Sequence, residues 1–313
     1  MPKAIRLLAV WLLFCGIHIA FAAAQSRQAI PNFSDYPALI ERAVQNEIQS
    51  LENPVPFQFT ERLNWSWGSE TRSVIETVEG RADRIMLFRD EPLQAEQQQK
   101  QARRLEKLLR DRDAVKDELH EQKSEIQRRI RMLKALPKAL IFEFAGRENG
   151  LLRFTFRPNS DFSLKDRETQ MYRGMEGVLW LEPMQERIVR IEGRLVKDVS
   201  FGWGILGRLN KGGIYEIAQT QVAPGIWRIT SLNIDVKGRA FLVDSFRMFR
   251  EESNSHFHRT STSMTYHDAA QALLSMPVPL LGKDRRATPV IENQFARVAP
   301  AGRHTLNFLQ LCR

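Results

Sequence analysis

In the stretch FQFTERLNWSW, apolar side chains fall at Phe57, Phe59, Leu63, Trp65 and Trp67, with polar ones at Gln58, Thr60, Arg62, Asn64 and Ser66 between them. Successive side chains of a strand point to opposite faces, so a period of two predicts a β-strand with one buried and one wet face. The pattern returns in TRSVIETVEG and DRIMLFRD after a turn at Gly68-Ser69, at Leu140, Phe142 and Phe144, and at Leu152, Phe154 and Phe156. It continues through GVLWLEPMQERIVRIEGRLVKDV and GGIYEIAQTQVAPGIWRITSLNIDVKGRAFLVDSFRMF. Between these runs stand short turn signals at Glu182-Pro183-Met184-Gln185-Glu186, Ala223-Pro224-Gly225 and Lys237-Gly238. Connections this short join antiparallel neighbours, because a parallel crossover needs a dozen residues or more. The chain therefore predicts one large antiparallel sheet, and hence a β-rich α+β fold.

Two segments depart from the period of two. Ser34-Asp35-Tyr36-Pro37 reads as a helix start, with proline in the first turn. Tyr36, Leu39, Ile40, Ala43, Val44, Glu47, Ile48 and Leu51 follow at steps of three and four. All but Glu47 are apolar, which predicts a helix with one buried face, ended by Asn53-Pro54. Residues 94–136 are rich in Glu, Gln, Lys and Arg, without glycine or a β-rich run. Their thin apolar stripe (Leu105, Leu108, Leu109, Val115, Leu119, Ile126, Ile130 and Leu133) predicts two helices that break near Asp111 and Asp113 and end before Pro137. Such a charged helical insertion lies on the sheet by one face as a solvated arm, or serves as a coiled-coil arm or a movable lid.

At the N-terminus, Lys3 and Arg6 precede an apolar run over 7–21, and Ala22-Ala23-Ala24 supplies small residues for cleavage. This predicts a signal peptide over 1–24, and with it an exported protein of the periplasm or outer-membrane periphery; an uncleaved membrane anchor is the alternative. Cys15 follows the bulky Phe14, which argues against a lipoprotein site, and Cys312 would then be the sole cysteine, so no intrachain disulfide forms. Loss of Lys3 and Arg6 lowers the formal charge from +9 to +7, a basic balance suited to an anionic envelope surface or acidic ligands. No cluster of Lys and Arg alternates with stacking aromatics, so nucleic acid is not among the expected partners. The expected domains are the β domain over 25–256, including the insertion, and a mostly unstructured tail over 257–313 with a short helix near Asp268 to Ser275.

Motifs for chemistry are sparse. Gly202, Gly204 and Gly207 have the G-x-G-x-x-G spacing, but Arg208-Leu209-Asn210-Lys211-Gly212-Gly213 leads into another strand, not into the helix that a dinucleotide site requires. Phe201, Trp203, Ile205 and Leu206 make this glycine-containing segment apolar; it is either a connection folded inward or a flexible gating loop with Arg208 and Lys211 at its rim. G-x-S-x-G is absent. His120, His256, His258, His267 and His304 are scattered; His256 and His258 share a face of extended chain, and a third metal ligand would have to come from His267 or a carboxylate such as Glu251 or Glu252. Glu143, Glu182 and Glu192 have no spacing that assigns acid and base roles. No enzyme activity, metal or cofactor is expected from these residues.

The hairpin GVLWLEPMQERIVRIEG, residues 177–193, resembles the apolar strand, acidic-proline turn and following strand of the periplasmic outer-membrane lipoprotein-sorting (LolA/LolB-like) carrier family. The order of elements over 36–249, helix then strands, helical interruption and more strands, is similar to that family's. The resemblance implies a curved antiparallel sheet, or unclosed β-barrel, whose covering helices close over an apolar groove. It also implies a lipid or lipoprotein acyl chain as partner. On the period of two, Phe57, Phe59, Leu63, Trp65, Phe154 and Phe156 are the candidates to line the groove. An envelope scaffold using the helical arm and apolar loop to bind an envelope protein or membrane surface is the alternative, with an envelope hydrolase third.

Overall fold

The computed structural model describes residues 35–163, 166, 168–201, 207–240 and 244–278. The expected signal peptide over 1–24 lies outside them. Helix α1, Tyr36–Glu52, starts at Asp35, whose carboxylate accepts from the Ala38 amide at 3.0 Å, and it buries Leu39, Ile40, Ala43, Val44 and Ile48. Strands β1 (Phe57–Trp65), β2 (Gly68–Glu76), β3 (Arg81–Phe88) and β4 (Glu91–Pro92) form a meander. The first turn falls at Ser66 and Trp67, two residues earlier than expected, so Trp67 is an exposed turn residue and not part of the inner face.

The insertion forms α2 (Ala95–Arg110) and α3 (Arg112–Ala139). Asp111 makes the break: its carboxylate accepts from the amides of Asp113 and Ala114, both at 3.0 Å, capping the second helix. That helix runs past Pro137, contrary to expectation, because a proline in the final turn removes a single hydrogen bond near an end already short of partners.

Strands β5 (Leu140–Glu148), β6 (Leu151–Pro158), β7 (Met175–Glu182), β8 (Arg187–Leu195), β11 (Ile214–Ala223), β12 (Ile226–Ala240) and β13 (Asp244–Arg259) complete the sheet, with a 3-10 helix at Glu168–Gly174 and a small hairpin of β9 (Val199–Phe201) and β10 (Gly207–Leu209). The path is β4-β3-β2-β1-β13-β12-β11-β8-β7-β6-β5, antiparallel at each junction, and its ends β4 and β5 do not pair. The result is a curved, unclosed antiparallel sheet with covering helices, a β-rich α+β fold.

Two glycines let the strands approach closely. A Cβ on Gly177 of β7 would stand 1.8 Å from the Glu192 carbonyl oxygen, and Gly193 of β8 is its direct partner. A Cβ on Gly238 would meet the Arg208 carbonyl at 2.4 Å and the Phe246 ring at 2.6 Å. Lys237-Gly238 is therefore not a turn: β12 continues through it to Ala240, and its glycine makes room for β10 on one side and β13 on the other.

The C-terminal part needs the largest correction. The boundary at 256 cuts through β13, which runs to Arg259 in the middle of the sheet, pairing β1 on one side and β12 on the other. Its polar sequence hid this, because two strand neighbours satisfy its backbone whatever its side chains. Beyond it, helix α4, Tyr266–Ser275, falls where a short helix is expected but is packed and not loose. Tyr266, Ala269, Ala270 and Leu273 are buried against Ile75 and Ala82 of the sheet and Leu105 and Leu108 of α2. The thin stripe of the insertion is thus matched by a second thin stripe. The buried Arg84 guanidinium donates to the carbonyls of Leu273, Leu274 and Met276 at 2.8–3.1 Å, holding the end of α4. Residues 279–313 lie outside the described ones.

The insertion also guards the sheet edge. The Gln122 side-chain amide of α3 accepts from the Arg81 amide and donates to the Arg81 carbonyl, both at 2.8 Å, which occupies ladder positions on β3 that another strand would otherwise take.

Candidate functional site

The C-terminal half of α3 crosses the inner side of the sheet, and between them lies a cavity of about 290 Å³. Met132, Leu133 and Leu136 of α3 form one wall. Leu140, Phe142, Phe156 and Leu179 continue it on β5 to β7, while Ile191, Ile217, Ile229 and Phe257 lie across on β8 to β13. Met171 and Tyr172 close it from the 3-10 helix, the Tyr172 hydroxyl donating to the Met132 carbonyl at 3.2 Å. Burial pushes the Tyr172 and Tyr215 phenols above their ordinary range, so neither serves as a ready proton donor or acceptor at neutral pH.

One end of this apolar space is charged. Arg187 of β8 is 7% exposed; it donates from Nη2 to Glu47 at 2.9 Å and from Nη1 to the Asn46 carbonyl at 3.0 Å and Ser50 Oγ at 2.8 Å. Glu47 also accepts from the Ile188 amide at 3.2 Å, and these bonds tie α1 to β8. Glu76 accepts from the Phe57 amide and from Arg228 Nη2, both at 3.2 Å. Burial pushes the carboxyls of Glu47 and Glu76 above the usual carboxylate range, against the opposing pull of Arg187 and Arg228 respectively. Glu252 differs: burial would raise it, but Arg250 at 2.6 Å, with Asn254 and Arg129, outweighs that and leaves its carboxyl below the ordinary value. Arg81 pairs with Glu61 at 2.9 Å, and Glu61 is 2% exposed on the inner face of β1.

Three buried polar atoms of residues that line the cavity have no hydrogen-bond partner, Nε of Arg187, Nε of Arg228 and Oδ1 of Asn254, and Nε of the neighbouring Arg250 has none either. Next to it lies a polar surface cleft of about 400 Å³ lined by Asn46, Gln49, Asn53, Gln185 and Gly225. Ser50 and Arg187 line both spaces, so Arg187 stands where the apolar interior meets the polar surface.

Of the groove candidates, Phe59 and Phe156 line the cavity. Phe57 is buried beside Val74 with the Arg228 guanidinium 5.3 Å from its ring centroid, and Leu63 is buried further along β1. Trp65 is half-buried and stacks on Trp67 at 5.0 Å. Phe154 is fully buried between Tyr36 of α1 and Phe144, at centroid distances of 5.4 and 5.7 Å. Among the gating-loop candidates, Phe201 ends β9 and is half-buried; Trp203, Ile205 and Leu206 lie outside the described residues. Gly207 opens strand β10, with no helix after it, as the reading of the glycine motif required. A bulge in the β1–β13 pairing falls opposite Phe59; Phe257 stacks on Phe59 at 5.2 Å while His256 and His258 are exposed. Among the described residues, no group of three or more His, Cys, Asp or Glu is placed to hold a metal.

The charged end went unread in the sequence, although two of its residues left a signal. Glu47 interrupts the apolar stripe of α1, and Glu61 occupies the inner position between Phe59 and Leu63. A carboxylate on an otherwise buried face demands a cation. Its arginine lies far away in the chain and is identified only by folding.

No family model matches this chain, and no curated protein or solved structure matches it either.

Proposed function

We propose that this protein is an exported, non-catalytic binding protein of the cell envelope that holds the apolar part of a lipid, lipoprotein acyl chain or other amphiphile in its internal cavity. The observation that carries this reading is the cavity itself: a mostly aliphatic and aromatic space bounded on one side by a helix and sharing Ser50 and Arg187 with a polar surface cleft. Ligand sites are typically concave, mostly apolar and equipped with few polar groups. A scaffold held together by its own side chains would have no use for such a space, since close packing is the ordinary state of a protein interior. The resemblance of the 177–193 hairpin and of the element order to lipoprotein-sorting carriers points the same way, as does the expected signal peptide for a periplasmic or outer-membrane-peripheral location.

Native mass spectrometry of the protein purified from its own envelope tests the reading. A bound lipid or amphiphile should be retained, and Leu136→Trp, which projects an indole into the cavity from α3, should reduce its occupancy. Protein that is invariably empty, and that displaces no fluorescent fatty acid when titrated, would refute it.

A further inference from the structure

The cavity's size and its unpartnered polar atoms describe one kind of occupant. An apolar cavity of about 150 Å³ accommodates a benzene ring, so 290 Å³ takes about twice as many carbon-sized atoms, the length of one medium acyl chain. Two or three chains side by side do not fit. At the charged end, the Glu47 carboxylate is already engaged by Arg187 and the Ile188 amide, and that of Glu76 by Arg228 and the Phe57 amide. What is left over is chiefly donor capacity: the Nε–H groups of Arg187 and Arg228 point to no acceptor, although both are buried. Leaving a buried donor unsatisfied is costly, and more so for a charged group. Arg187 and Arg228 stand on β8 and β12, which flank β11 in the sheet, and both line the same cavity, where long side chains can address one headgroup. Asn254 adds one free acceptor, suited to a hydroxyl or amide donor.

Building on the amphiphile-binding reading, we propose that the ligand is a single-chain amphiphile with an anionic headgroup, a carboxylate or phosphate, bound with its tail under α3 and its headgroup against Arg187 and Arg228. Guanidinium groups suit both anions, since their N–H groups form charge-assisted bonds to carboxylate and phosphate oxygens alike. The polar cleft beyond Arg187 and Ser50 gives the headgroup a way to water, so the chain enters tail first.

The test titrates the intact exported protein, below any micellar concentration, with decanoate, decyl phosphate, decanol and decyltrimethylammonium, each displacing a neutral fluorescent probe. Decanoate or decyl phosphate should bind at least tenfold more tightly than decanol and than the cation, and the better of the two identifies the headgroup. Acetate and inorganic phosphate should not compete; if they match their long-chain counterparts, the site is one for small anions and the proposal fails. Equal affinity for all four chains overturns the headgroup assignment and leaves the amphiphile reading intact. If no chain displaces the probe, the amphiphile reading falls and the proposal with it. Arg187→Lys keeps the charge opposite Glu47 but lacks Nε, and should bring the decanoate-over-decanol ratio close to one; Arg228→Lys serves as the second variant if the first does not fold. An unchanged ratio in a folded variant also overturns the proposal.

Discussion

Replacing Phe154 with alanine should separate packed core from cavity wall within one strand. Phe154 is 0% exposed, and its ring meets both Tyr36 and Phe144. Burial of a phenylalanine contributes about 1.5–3 kcal/mol, and each aromatic contact adds about 0.5–1.5 kcal/mol. The sum is centred on the roughly 3–5 kcal/mol typical of Phe→Ala in a close-packed site. Phe156, two residues along on the same face, has one aromatic neighbour, Phe142 at 5.8 Å, and looks into the cavity. A side chain beside a void lacks partner atoms on that side, so Phe156→Ala should cost about 2 kcal/mol. Urea denaturation of each variant, with the slope unchanged, measures the difference. By melting, a central loss of about 4 kcal/mol should lower the midpoint for Phe154→Ala by about 8–16 °C, at roughly 2–4 °C per kcal/mol for a large domain. Arg153→Ala, on the outer face with only a loose contact to Glu148 at 3.9 Å, should stay within about 0.5 kcal/mol of wild type. Equal losses at 154 and 156, or a larger one at 156, would refute the assignment of one to the core and the other to the cavity wall.

Two further perturbations probe the charged end and the guarded edge. Burial holds the Glu76 carboxyl above its ordinary value of 4.5, so its stabilising contribution is complete below 4.5 and is lost as pH rises through the higher folded value. Wild type should accordingly be favoured over Glu76→Gln most at low pH, with that advantage shrinking towards neutrality; urea midpoints that diverge the other way would contradict it. Gln122→Ala should expose the Arg81 amide on the edge of β3: two lost hydrogen bonds at about 0.5–1.5 kcal/mol each predict amide exchange faster by roughly tenfold or more. Unaltered exchange at that amide would show that α3 does not protect the edge.

What local pattern alone determined was most of the strands and helices α1 to α3. The period of two in Phe57, Phe59 and Leu63, or in Leu152, Phe154 and Phe156, specifies strands with one buried face, because pleating leaves no other way to segregate such side chains. Tyr36 to Leu51 specified α1 by the same logic at a period of 3.6, and Asp111 announced the break between α2 and α3 as a residue able to cap the second helix. Turns at 182–186 and 223–225 follow from proline, glycine and acidic residues that disfavour continued strand.

The tertiary structure decided what no local pattern contains. The end of β13 is polar enough to read as tail, yet the whole strand joins the two halves of the sheet, since pairing is contributed by the backbones of β1 and β12. Gly238 looked like a turn because glycine serves both turns and close approaches, and only the presence of Arg208 and Phe246 beside it selects the second. The apolar stripes of α2 and α4 are each too thin to indicate a core, and become one against Ile75 and Ala82. The charged end of the cavity is the extreme case. Glu47 and Arg187 are 140 residues apart in sequence and 2.9 Å apart in space. A charge on a buried face can be read from sequence as an anomaly, but its partner is chosen by the fold, because burial and ion pairing depend on which surfaces meet.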